Sequence, residues 1–156
     1  MLTQRSLVDR LAAVRVRAPG AVLPVADDRL ATLARWFDAR TEVNGGGTAL
    51  VVERSVPVPP EVAAALAGHA PAAYFDTETT GLSTGAGTVI FMAAVGRLDG
   101  ATFTVRQFLL PDYPYEPALL RALTADLATA PRLVTYNGRT FDLPMLTARL
   151  TVHGLF

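Results

Sequence analysis

A chain of 156 residues, 51% apolar and without net charge, has room for one domain with a core and carries no bulk excess of cations to release counterions from nucleic acid. All fourteen positive charges are Arg, which closes Schiff-base, P-loop-lysine and serine–lysine chemistry, and the absence of Cys excludes disulfides, thiolate nucleophiles and cysteine zinc sites. With only His69 and His153 as imidazoles, any metal would be held mainly by carboxylates.

In chain order, residues 2–17 have helical spacing of Leu7, Leu11 and Val14, ended by Ala18-Pro19-Gly20. Arg5, Asp9, Arg10 and Arg15 interrupt its apolar positions, so the segment has neither a signal-peptide core nor a membrane span, and a cytoplasmic location is the expectation. A second helix is predicted over 27–40, a flexible turn at 44–47, a strand over 49–56 closed by Pro57, Pro59 and Pro60, and a short helix over 61–67. Residues 1–70 thus read as an N-terminal extension without chemistry of its own, one that pads the rest or docks a protein partner.

From residue 72 the pattern becomes regular. A strand over 72–78 leads through the glycine-rich stretch 81–88 to a strand over 89–98. Asp99-Gly100 is a hairpin signal before a strand over 101–110. A helix over 116–130 with Leu119, Leu120, Leu123 and Leu127 inward, a strand over 132–136 and a helix over 140–152 complete the series. Three strands, then helix, strand and helix, imply a mixed sheet covered by helices in a second unit, 71–156. Leu155 and Phe156 directly after a helix look like the middle of a domain, so this unit is expected to be incomplete at its C-terminal end.

The segment Tyr74-Phe75-Asp76-Thr77-Glu78-Thr79-Thr80-Gly81 carries the first chemical signal. Side chains alternate along a strand, so Asp76 and Glu78 share a face. Two adjacent carboxylates repel, and a hard divalent cation between them would relieve this. The neighbouring glycines do not form a phosphate loop: there is no Gly-Lys-Ser/Thr, and Val89-Ile90-Phe91 continues as strand where a dinucleotide fold needs a helix. A mobile hairpin connection beside the acids, able to admit a bulky substrate, is the better account. Ser83 and His153 lack the context of a nucleophile elbow, and His69 reads as a linker residue.

The second signal is Tyr136-Asn137-Gly138-Arg139-Thr140-Phe141-Asp142-Leu143-Pro144, where a strand ends, Asn-Gly turns and a helix starts near Asp142. Asp142 taken alone is an N-cap. If the fourth strand runs parallel to the first, it would instead meet Asp76 and Glu78 at one sheet edge.

Phe75-Asp76-Thr77-Glu78-Thr79-Thr80-Gly81-Leu82 resembles the first motif of the DEDD superfamily of 3′-to-5′ exonucleases, and Asn137-Gly138-x-x-Phe141-Asp142-x-Pro144 resembles the second. The longer runs 80–88 and 136–144 look most like the bacterial YprB-like branch of the ribonuclease H-like fold. The resemblance covers residues 72–156. It implies a mixed α/β sheet flanked by helices, and hydrolysis of single-stranded DNA or RNA with two Mg²⁺ or Mn²⁺ ions. Asp76, Glu78 and Asp142 would be the metal ligands and catalytic residues, with Thr79, Asn137 and Phe141 near the substrate. The family's fourth carboxylate, with its nearby His or Tyr, has no counterpart in the 14 residues after Asp142. The last strand and helix of the fold are therefore expected to be missing, and the alternative is a nucleic-acid-binding or interaction module that keeps the fold without the chemistry.

Overall fold

In a computed structural model, which describes residues 27–68, 71–82 and 87–155, α1 (Asp27–Phe37) precedes the hairpin β1 (Arg40–Asn44) and β2 (Gly47–Pro57). Next come α2 (Pro60–Ala67), β3 (Ala73–Thr79), β4 (Ile90–Asp99) and β5 (Thr102–Leu109). A 3₁₀ turn (Tyr113–Tyr115), α3 (Glu116–Leu127), β6 (Leu133–Val134) and α4 (Asp142–Val152) end the series. The helix expected over 2–17, His69, Ser83 and the centre of the loop before β4 lie outside the described residues.

Six strands form one sheet in the order β1-β2-β5-β4-β3-β6, antiparallel throughout except for the parallel β3–β6 pair. This is the mixed α/β sheet expected. One face is the core: Val51, Phe75, Ala93, Val95 and Phe108 pack against Leu119, Leu120 and Leu123 of α3 and Met145 and Leu146 of α4. Their burial drives assembly at about 1.5–3 kcal/mol per large apolar side chain. The opposite face carries Tyr74, Asp76 and Glu78 of β3 with Ala94 and Met92, their register neighbours or near neighbours on β4. Here cover is partial, from α2, where the Tyr74 hydroxyl donates to the Leu66 carbonyl at 3.4 Å, and from α1.

Asp38 adopts φ 50°, which ends α1 at Phe37, three residues short of the helix expected, and frees Arg40–Asn44 to become β1. β1 has one large apolar residue, the exposed Val43, so no alternation announces it. Pairing with β2 and charge hold it: Arg40 bonds Glu42 and Glu53, and Arg106 of β5 bonds Glu42 at 2.6 Å. Both carboxylates raise the pKa of Arg40, Glu53 more than Glu42. Asp126 of α3 joins the network by pairing with Arg97 and Arg106. The segment expected as an extension thus supplies two strands of the common sheet.

The β1–β2 turn also docks on α3. Asn44 Nδ2 donates to the Ala118 carbonyl at 2.9 Å, and a Cβ at Gly46 would lie 2.6 Å from the Pro117 carbonyl carbon. Backbone cannot yield as a side-chain end does. Gly46→Ala is therefore expected to destabilise by about 1–3 kcal/mol, seen as a lower urea midpoint at unchanged slope. An unmoved midpoint would mean the turn does not rest on α3.

β6 is shorter than the strand expected over 132–136. It pairs with β3 only through Ala73↔Leu133 and Tyr74↔Val134. The chain then turns away because Asn137 takes a left-handed φ of 56° and Gly138 packs where any Cβ would overlap the Thr135 side chain. No helix among the described residues is long and apolar enough to cross a membrane.

Candidate active site

Along β3 the burial alternates, with Phe75 and Thr77 buried toward the helices and Asp76 and Glu78 exposed on the other side. The shared face expected for the two acids is realised. Neither carboxylate makes a hydrogen bond or ion pair with a described residue, so their mutual repulsion is uncompensated by the protein. Asp76 also lies on the wall of an open groove of about 650 Å³ that is lined with Tyr74, Gly96, Phe103 and Tyr136. Tyr74 and Phe103 meet edge to face with centroids 5.6 Å apart, and the absence of a side chain at Gly96 makes room for the Phe103 ring.

Asp142 is the first residue of α4 and only 3% exposed. It does not cap its helix. Its Oδ1 instead accepts from the Thr77 backbone N–H at 3.1 Å and from the Thr77 hydroxyl at 2.5 Å. These bonds tie the start of α4 to the middle of β3, between the two exposed acids. The sequence reading did not foresee the Thr77 hydroxyl as the partner of Asp142, although a polar side chain at a core-facing strand position signals a buried partner. Thr77→Val removes one donor and leaves the buried carboxylate with the backbone bond alone, an expected loss of about 1–3 kcal/mol. Thermal denaturation reads this, and an unchanged midpoint would show that the hydroxyl bond contributes nothing.

The other expected site residues are placed as follows. Thr79 Oγ1 donates to the Gly81 carbonyl at 2.7 Å within the turn after β3. Asn137 is exposed, and its Oδ1 accepts from the Thr140 hydroxyl at 2.6 Å. Phe141 is half-buried with its ring against the core. His153 lies against Glu116 rather than near β3, with Nε2 to Oε2 2.8 Å.

The donor chemistry of Asp76 and Glu78, hard oxygen ligands without a partner among the described residues, fits a divalent cation. The expectation that Asp142 joins them is not met as such. Among the described residues no three acidic or histidine side chains form a group able to hold a metal; Oδ1 of Asp142 is bonded to Thr77, whose side chain projects from the face of β3 opposite Asp76 and Glu78.

A central antiparallel run β3-β4-β5, a parallel β6 beside β3 and acids on the first of these strands define the ribonuclease H-like class of α/β proteins. Residues 73–155 match the RNase_H superfamily, and the chain belongs to it. The chain is also similar to the "Uncharacterized protein YprB" of Bacillus subtilis (strain 168), at 43% identity over 79 residues, which are 51% of this chain and 19% of that protein. The chain spans about a fifth of the length of that relative.

Proposed function

We propose that the chain is a metal-dependent nuclease domain that removes nucleotides from the 3′ end of single-stranded DNA or RNA. The observation that carries the reading is the Asp76/Glu78 pair: two exposed carboxylates, without a partner among the described residues, on one face of the first strand of the ribonuclease H-like core. Asp76 and Glu78 would hold Mg²⁺ or Mn²⁺, which when bound neutralises phosphate charge and lowers the pKa of a water. The rest is done by the protein. Asp142 and Thr77 fix β3 against the start of α4, so the pair sits on a strand whose position is set by buried hydrogen bonds. Thr79 and Gly81 shape the turn beyond Glu78, where substrate would pass, and Asn137 and Thr140 shape the turn before α4.

The test is degradation of 3′- and 5′-labelled single-stranded DNA and RNA with Mg²⁺, Mn²⁺ or chelator. Cation-dependent shortening from the 3′ end is expected. Complete inertness with both ions and both substrates would overturn the reading. A second reading, a nucleic-acid-binding module without catalysis, is favoured by the one observation that Asp142 stays with Thr77 instead of completing a carboxylate cluster. Binding that weakens with salt and ignores chelator would support it.

A further inference from the structure

The acids are flanked on the β4 side by a second recess. β3 and β4 slip register between Glu78 and Thr79: Glu78 pairs with Met92 and Thr79 with Ile90, which leaves Phe91 as the extra residue of a bulge. A bulge re-aims the side chain it carries. Phe91 is accordingly 44% exposed and lines the same recess as its neighbour Met92, where regular alternation would send the two to opposite faces. Leu109 extends the wall along the sheet, and α1 closes the far side with Arg29, Leu33 and Phe37, the last 51% exposed. The recess holds about 320 Å³, within the range of small-ligand sites.

We infer that this recess is a nucleobase pocket, which receives the base next to the phosphate that a cation at Asp76 and Glu78 would hold. The inference rests on the nuclease reading and adds a role for α1, which lies outside the residues matched to the superfamily. Three features select a base over another apolar group. The two partly exposed phenyl rings offer faces on which any base stacks. The recess lies beside Glu78, since Met92 is the register partner of that residue and shares its face. The Arg29 guanidinium stands at the rim, two-thirds exposed, and among the described residues its one charged neighbour is Asp112 at 4.0 Å, which leaves it able to meet a phosphate oxygen.

The test is equilibrium binding, by fluorescence anisotropy, of a labelled single-stranded oligothymidine and of the same oligonucleotide abasic over its last two 3′ positions. Ca²⁺ replaces Mg²⁺ so that binding is read without cleavage. Phe37→Ala, a substitution of a half-exposed side chain, is expected to weaken binding of the full oligonucleotide about tenfold and to leave the abasic one unchanged. Arg29→Gln should weaken both to the same degree and lessen the salt dependence. Equal effects of Phe37→Ala on both ligands, or none on either, would overturn the pocket. Cleavage by the wild type, abolished by Asp76→Asn, separates the two claims: with it retained, a negative binding result removes only the pocket. If the wild type neither binds nor cuts, both fall.

Discussion

Asp76→Asn is expected to lower cation-dependent hydrolysis by about a thousandfold, since losing a ligand removes several kcal/mol of charge stabilisation and each 1.36 kcal/mol is tenfold in rate. Folding should not suffer. The carboxylate is exposed and has no described partner, so no native contact is lost, and repulsion from Glu78 is relieved. Glu78→Gln should act in the same direction. Titration with Mn²⁺, followed calorimetrically, should show the saturable binding of the wild type lost in both variants. The combination of lost binding, lost rate and an unmoved unfolding midpoint is the signature of a ligand role. A variant that cuts at the wild-type rate would remove the pair from the chemistry altogether.

The largest effect on stability is expected at the lock between α3 and α4. Glu116, the first residue of α3, and Arg149 of α4 have side chains only 3% and 6% exposed. They form a two-pronged pair, Arg149 Nε to Oε1 and Nη2 to Oε2, both at 2.6 Å, and His153 reaches Oε2 at 2.8 Å. Removing one partner strands the other charge in the interior, so Arg149→Met should cost about 3–5 kcal/mol, a large part of the total for a domain of this size. Glu116→Met combined with Arg149→Met should recover much of that loss, because the desolvation penalty disappears with both charges. Urea denaturation of the two single variants and the double variant measures the cycle. A loss below about 1 kcal/mol for Arg149→Met, the range of solvated surface pairs, would show that water reaches the pair. Since Asp142 begins the helix that Arg149 anchors, the single variants should also loosen the attachment of α4 to Thr77.

Residues with strong local grammar are legible in the sequence itself. Asp99-Gly100 makes the β4–β5 turn with Gly100 at φ 57°, and the inward leucines of α3 are those the 3.6-residue period marks. β1 was not legible, because its single large apolar residue faces solvent and its place depends on β2 and on Arg106, far along the chain. The Glu116–Arg149 lock was equally hidden. The two charges lie 33 positions apart, and only the packing of α3 beside α4 removes them from water.

The sequence by itself determined that Asp76 and Glu78 share a face, because strand alternation is local and has a period of two. It also determined, through Asn137, Gly138 and Pro144, that a turn and a helix start follow the fourth core strand. Where Asp142 spends its carboxylate was decided by tertiary structure alone. Its hydrogen bonds run to Thr77, 65 positions away, and no local rule prescribes a contact that exists only once β6 lies beside β3. The register slip that turns Phe91 outward belongs to the same class, since a bulge is a relation between two strands and neither one carries it alone.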